Sequence, residues 1–252
     1  MVLLVASVSA FGADLSCNKT GNTEEFRYAW RVRGGLRFLA GLVFPTSGVG
    51  NLKTTFADKI HSELLITAPS GKQGGFYAYE SDMDQAGTRT LMTYHGYAWG
   101  DKQRSDRTVF DYVKGLARSR KETPAESENR VRKLPEGDQF RDILTAIYFL
   151  RQNAGTLTHP IQTSIFSDGK EYPVIFRPAE HKTFLIEGKN IAASSFDIVD
   201  APGGKKWPGG VKVWLTDDER RIPVRIEISQ SMASLQLDLK SVESCATLVA
   251  GM

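Results

Sequence analysis

The sequence predicts a mainly β protein: a curved antiparallel sheet, as a half-barrel or flattened barrel, with one amphipathic helix covering it. Three observations carry this. Between Trp207 and Leu239, three runs (Val211, Val213, Leu215; Ile222, Val224, Ile226, Ile228; Leu235, Leu237, Leu239) alternate with more polar neighbours. That is the period-2 signature of strands with one buried face. Short polar breaks such as Asp217-Asp218-Glu219-Arg220 join the runs into an antiparallel meander. Elsewhere short strand patterns and turn signals recur closely, with one convincing helical pattern among them, which suits a single sheet system rather than βαβ units.

In chain order, Met1 to Ala13 (MVLLVASVSAFGA) reads as a secretory signal. Its uncharged run is too short to span a bilayer as a helix, and Ser9-Ala10 or Gly12-Ala13 supply small residues for cleavage. No Lys or Arg precedes the run, which points to a start a few codons upstream; the alternative is an apolar first strand. Residues 14–252 then form a single β-rich domain, exported to the periplasm or otherwise. Phe26, Tyr28 and Trp30 alternate with Arg27, Ala29 and Arg31, a strand with an aromatic inner face and a basic outer one. Leu36 to Phe44 is a more continuously apolar run, and Pro45 to Gly50 (PTSGVG) is turn chemistry.

Strands are expected over Ile60 to Thr67, Gly75 to Ser81, Thr88 to Trp99, Thr108 to Tyr112 and Leu116 to Lys121. Glu122 to Gly137, with two prolines, reads as a polar loop. Asp138 to Gln152 then forms the helix: Phe140, Ile143, Leu144, Ile147 and Leu150 make one apolar stripe, Asp138 can cap its start, and Asn153 and Gly155 supply a stop. Strands return at Ile161 to Phe166 and Glu171 to Phe176, joined by a hairpin with Asp168-Gly169 at its turn, and continue at Thr183 to Glu187 and Ala193 to Val199.

Composition excludes several classes. The chain has 252 residues, 41% hydrophobic and 24% charged, with a net charge of +3, which describes an ordinary folded protein and no nucleic-acid footprint. The four histidines are far apart, and Gly48-Val-Gly50-Asn-Leu-Lys53-Thr54 lacks the glycine a phosphate-binding loop places before its lysine. No metal, cofactor or catalytic residue is expected, and no membrane-integral segment after signal cleavage. Only two cysteines occur, Cys17 and Cys245. In an oxidising compartment they can pair, and closing so long a loop would stabilise the fold by about 4–5 kcal/mol in the chain-entropy model; the alternative is two unpaired thiols. Asp14 stands where a lipoprotein signal wants a branched apolar residue, which argues against a lipidated Cys17.

The candidate binding residues are few. Trp214 shares a parity with Lys212 and, across the turn, Arg225, so an exposed indole beside a guanidinium is a candidate platform; a shielding cross-strand pair is the plainer reading. Phe26, Tyr28 and Trp30 are candidates to line an apolar cavity, although aromatic inner faces are usually core. Arg141, with Asp142 and Arg151, sits on or beside the polar side of the helix, where a solvated helix face, or ion pairs that orient the helix on the sheet, is the plainer reading.

Four segments together resemble the bacterial domain-of-unknown-function 3108 family: FRYAWRV, the helix from Arg141 to Arg151, the SDGKEYPV hairpin, and WLTDDERRIPVRIEI from Trp214 to Ile228. The resemblance runs from about Glu24 to Leu239. It implies an exported envelope protein of antiparallel β architecture, similar by looser analogy to the half-barrels that carry lipoproteins or lipids across the periplasm. It brings no catalytic residues. The expected function is therefore non-enzymatic binding of an apolar or lipid-like ligand or a lipoprotein; the alternative is a scaffold that binds an envelope protein through a sheet edge or face.

Overall fold

In the computed structural model of the protein, the described residues are 15, 18–19, 21–34, 45–68, 75–134, 140–167, 170–204, 206–207, 209–230 and 233–246. The expected signal at Met1 to Ala13, the run Leu36 to Phe44, the Asp168-Gly169 turn, the Asp138 cap and Cys17 lie outside them. In order come β1 (Asn18–Lys19), β2 (Thr23–Arg33), β3 (Ser47–Phe56), β4 (Ile60–Thr67), β5 (Gly75–Met83), β6 (Thr90–Trp99), β7 (Lys102–Asp111), β8 (Leu116–Glu122) and β9 (Ser127–Lys133). The helix α1 (Ile143–Asn153) follows, then β10 (Ile161–Ser167), β11 (Lys170–Ile186), β12 (Lys189–Asp200), β13 (Gly209–Thr216), β14 (Pro223–Gln230) and β15 (Ala233–Cys245).

All fifteen strands belong to one sheet, ordered β10-β11-β12-β13-β14-β15-β2-β3-β4-β5-β6-β7-β8-β9, with β1 beside β15. Two consecutive meanders, β2 to β9 and β10 to β15, are thus joined where β15 pairs with β2. The long pairs are antiparallel, and only the two-residue β1 runs parallel to its neighbour. Among the described residues β9 and β10 do not pair with each other, so the sheet is not closed into a barrel.

The sheet nevertheless curls back on itself. The helix touches β4, β5 and β10, and β5 and β10 stand nine places apart in the order. In a flat sheet that separation is about 43 Å, whereas an eleven-residue helix is only about 16 Å long. Phe140 and Arg141, just before the helix, sit in the gap: the Thr90 amide donates to the Phe140 carbonyl at 2.7 Å, and the Phe166 amide to the Arg141 carbonyl at 2.7 Å.

The core follows the expected parity. Phe26, Tyr28 and Trp30 from β2 are buried, as are Val211, Val213, Ile226, Leu237 and Leu239 from the closing meander. The helix contributes Leu144, Ala146, Ile147 and Leu150. Two hydrogen bonds fix the largest β2 side chains: the Tyr28 hydroxyl donates to the Pro223 carbonyl at 2.7 Å, and Trp30 Nε1 to the Thr67 carbonyl at 2.7 Å.

Four expectations need correcting. The PTSGVG stretch is not a turn, because Ser47 to Gly50 already belongs to β3. Its glycines answer a packing demand: a Cβ on Gly48 would meet Trp30 Nε1 at 2.6 Å, and one on Gly50 would meet Leu237 Cδ2 at 3.2 Å. The bulky β2 rings lie over glycine partners, a known way to seat aromatics on a sheet. The polar Glu122 to Gly137 stretch is not all loop, since Ser127–Lys133 forms the exposed edge strand β9, where charged side chains suit an edge. The helix starts later than Asp138: Phe140 and Arg141 are taken up by the backbone bonds above, and Asp142 is the cap, its carboxylate accepting from the Thr145 amide at 2.8 Å. Finally, Glu171 to Phe176 and Thr183 to Glu187 are not separate strands, because β11 runs from Lys170 to Ile186 with a register shift between Pro178 and His181.

Candidate functional site

Cross-strand register decides which side chains share a face, and on β2 to β9 it sorts them into rows. One row runs Glu24, Thr54, Ser62, Ser81, Thr93, Thr108, Ser119, Arg130. The next runs Phe26, Leu52, Leu64, Tyr79, His95, Asp106, Lys121, Glu128. A third runs Tyr28, Gly50, Ile66, Tyr77, Tyr97, Arg104. All three lie on the face that forms the core at β2 to β4. From β5 onward the second and third rows turn aromatic and half-buried, and from β7 onward they are charged, while the first keeps its hydroxyls as far as Ser119.

The helix lies along the hydroxyl row. Thr145 Oγ1 is 3.0 Å from Ser81 Oγ and 2.8 Å from Thr90 Oγ1, and Thr54 and Ser62 share a further hydroxyl contact of 3.1 Å. At the far end of the helix Arg151 makes a two-pronged ion pair with Glu24 and donates from Nε to the Arg221 carbonyl at 3.0 Å. Both side chains are almost fully buried. Burial alone would make the guanidinium easier to deprotonate, but the Glu24 carboxylate outweighs it and holds Arg151 charged. Asp142 at the helix start is the reverse case: burial raises its pKa, against hydrogen bonds from Thr145 and from the hydroxyls of Ser81 and Thr93.

Beyond the helix start the face opens. Five rings form a ladder: Tyr79 stacks on His95 at 4.6 Å, Tyr77 meets Tyr97 at 5.6 Å and Trp99 at 5.5 Å, and His95 lies 6.4 Å from Tyr97. Trp99 is seated over Gly75, where a Cβ would come 2.6 Å from its ring. A concavity of about 60 Å³ lies between this ladder and the helix start, lined by Tyr79, Thr93, His95, Asp106, Asp142 and Phe166 among others. A second, of about 100 Å³, lies on the charged rows and is lined by Arg104, Asp106, Ser119, Lys121, Glu128, Arg130 and Arg132. Asp106 lines both, so they adjoin on one surface. A half-buried aromatic strip grading into a basic cleft can hold a molecule with an apolar part and a polar end.

The residues singled out from the sequence fall elsewhere. Phe26, Tyr28 and Trp30 are together, but as packed core at 0%, 1% and 5% exposure, with both polar tips bonded. Trp214 and Arg225 do pair across β13 and β14, yet Trp214 is not exposed. Phe184 on β11 meets its ring edge-on at 5.3 Å and lies 4.9 Å from the Arg225 guanidinium. For a β11 side chain to reach β14, the end of the β11–β12 hairpin must fold over the outer face; the register shift at Pro178 to His181 supplies the bend. Arg225 Nε also donates to Asp238 at 2.6 Å. Arg141, just before the helix, is buried against the helix residue Phe149, 4.2 Å from its ring, and donates to Thr163 Oγ1 at 2.6 Å, so it does not lie on a solvated helix face. Cys245 is disulfide-bonded.

One convergence of Ser, His and Asp does exist. Ser194 Oγ is 2.8 Å from His181 Nδ1 and 2.5 Å from Asp217 Oδ1. The serine stands in the middle, however, and a catalytic triad needs the imidazole there. Among the described residues no group of three or more His, Cys, Asp or Glu is placed to hold a metal, and no helix is long and apolar enough to cross a membrane.

The aromatic ladder was missed in the sequence. Its signal, alternate Tyr77, Tyr79 and Thr93, His95, Tyr97, Trp99, reads as two ordinary strands until register stacks one on the other.

A family model described as "Protein of unknown function (DUF3108)" matches residues 46–240. The FRYAWRV strand precedes the matched region. No curated protein matches the chain. Among solved structures, a β-barrel-like protein of the DUF1849 domain of unknown function from Brucella abortus is similar with a TM-score of 0.56 at 10% identity, over 91% of this chain and 100% of that one. At that identity the likeness speaks for the fold alone. A lipoprotein candidate from Parabacteroides distasonis, 6% identical over 92% of this chain and 100% of its own, has a TM-score of 0.29 and carries no argument.

Proposed function

We propose that this chain, which belongs to the DUF3108 family, is a non-enzymatic, exported envelope protein that holds a lipid-like ligand on the concave face of β5 to β9. In this reading the curled sheet is a half-barrel and the helix covers its packed half. The ligand lies beside the helix start rather than between helix and β2, because Phe26, Tyr28 and Trp30 already fill that space. The observation that carries the reading is the strip of half-buried rings, Tyr77, Tyr79, His95, Tyr97 and Trp99, continuing the core face outward into a cleft. Such surface is costly to leave wet and is well suited to an acyl or similar apolar group. Export is supported by the apolar Val2 to Gly12 run and by the disulfide at Cys245, which fits an oxidising compartment.

The reading is tested by extracting purified protein with organic solvent and identifying lipids by mass spectrometry. Lipid in stoichiometric amount is expected with the native chain and a loss of at least about tenfold with the Tyr97→Ser/Trp99→Ser variant. Absence of lipid from the native chain, or equal lipid in both, would count against it.

A second reading, a scaffold that adds a partner's strand to a sheet edge, is favoured by β9, whose outer edge is unpaired among the described residues and whose Val131 is 63% exposed. Arg130, Arg132 and Lys133 beside it blunt that edge, so it ranks second.

A further inference from the structure

Resting on the ligand reading above, we propose that the cleft on β7 to β9 is a phosphate site that receives the ligand's headgroup, with Arg104, Lys121, Arg130 and Arg132 as its cations. Register brings these four side chains together from three strands, although those on different strands lie between nine and twenty-eight positions apart in sequence. The cleft walls also include Asp106 and Glu128, which leaves four cations against two carboxylates, a surplus of two positive charges in one concavity. A surplus of that kind in a recess attracts an anion more strongly than the same charges on a convex surface.

The cleft volume of about 100 Å³ is several times what a single water requires, so a phosphate group fits. Three of the four cations are arginines, whose planar forks match phosphate oxygens two at a time. Glu128 grips Arg130 through both its oxygens, at 2.5 and 2.8 Å, and so fixes one guanidinium at the rim. Two further pairs are looser: Arg104 is 3.6 Å from Asp106, and Lys121 is 3.9 Å from Glu126. Such long, partly exposed ion pairs are weak and are readily exchanged for a better anion.

Position ties the cleft to the aromatic ladder. Arg104 stands directly across from Tyr97, and Asp106, which lines both concavities, stands across from His95. A ligand with its chain on Tyr77, Tyr97 and Trp99 therefore presents its polar end to Arg104 and Arg130. The ligand class is an amphiphile bearing a phosphate, and the shared chemistry with free phosphate is separated by experiment.

The test uses the full chain and three probes: monooleoyl phosphatidic acid, monooleoyl glycerol below its aggregation limit, and inorganic phosphate. Binding is followed by calorimetry at low and at 0.5 M salt, with the native protein and with Arg104→Gln and Arg130→Gln, each checked for native circular dichroism. The proposal expects the phosphatidic acid to bind at least about tenfold more tightly than the glycerol lipid, with that preference lost in both variants and at high salt. Equal binding of the two lipids overturns the phosphate site and leaves the lipid reading standing. Binding of inorganic phosphate as tight as that of the phosphatidic acid, and dependent on the same arginines, keeps the site, assigns it to free phosphate and removes the lipid reading. No binding of any probe overturns both. Should either variant misfold, the salt dependence of the native protein's preference decides alone, a preference unchanged at high salt overturning the proposal.

Discussion

Arg151 and Glu24 show how one buried contact ties together parts of the chain that sequence keeps far apart. The helix end, the first long strand and the β13–β14 connection meet on a single guanidinium, which also lies 5.5 Å over the Phe26 ring. Removing one partner leaves the other charge uncompensated, so Arg151→Met is expected to destabilise the protein by about 3–5 kcal/mol in urea unfolding. Glu24→Gln/Arg151→Met should recover a good part of that loss; a double variant no better than the single one would show that the pair is not the source. Asp142 gives the residue-scale pH prediction. Its pKa is raised in the folded protein, chiefly by burial, so the folded state holds a proton that the unfolded chain releases at about pH 4. Stability contributed by this group is therefore greatest below that value and falls as pH rises toward the folded pKa. Asp142→Asn keeps a capping side chain and should flatten this part of the profile, whereas Asp142→Ala loses the cap and costs about 1–2 kcal/mol. An Asn variant with the native pH slope would exclude Asp142 as the titrating group. Asp82 acts in the opposite sense: burial works against its charge, but hydrogen bonds from Lys59 and His61 hold its pKa below the usual range, so its contribution is present above about pH 4 and lost as pH falls through the folded value. At this scale the sequence revealed identities but not partners. The ion-pair reading of the helix arginines suits Arg151, while nothing in the local pattern separates it from Arg141, which stacks on Phe149 instead.

At the scale of elements the β11–β12 hairpin is the instructive case. Its far end departs from the sheet path and lays Phe184 on Trp214, so an indole on the wetter parity of its strand, a candidate for an exposed platform, is 4% exposed. Phe184→Ala should uncover it: acrylamide quenching of fluorescence should rise, the rise should vanish when Trp214→Phe is added, and the stability cost should not exceed about 3–5 kcal/mol. Unchanged quenching would mean that other side chains bury the indole. Local alternation predicted most strands because period 2 survives in a strand with one wet face, as in β4 and β14. It failed where tertiary demands override local signals. Gly48 and Gly50 read as turn residues, yet they sit in a strand to make room for Trp30 and Tyr28. Polar β9 carries almost no buried side chain, so it has no alternation to detect. Phe140 fits the helical stripe but lies before the helix, its carbonyl taken by the Thr90 amide.

For the whole molecule the decisive feature is the join of β15 to β2, which sets the two meanders side by side and lets a short helix touch strands nine places apart. The closing meander was legible as a unit; its neighbour was not, because pairing between the first and last strands leaves no local trace. The same is true of the candidate site. Phe26, Tyr28 and Trp30 were visible as aromatics on one face, and that face is core. The accessible continuation of their rows, through Tyr97 and Trp99 to Arg104, exists only once six strands are in register. The central claim, that this continuation holds a lipid-like ligand, is tested most directly by adding a brominated fatty acid and recording tryptophan fluorescence. Trp99 lies on the proposed site, whereas Trp30, Trp207 and Trp214 are buried. Saturable quenching that disappears in Trp99→Phe, with Trp214→Phe quenched like the native chain, is the predicted result. Absence of quenching, or quenching untouched by Trp99→Phe, would contradict the account.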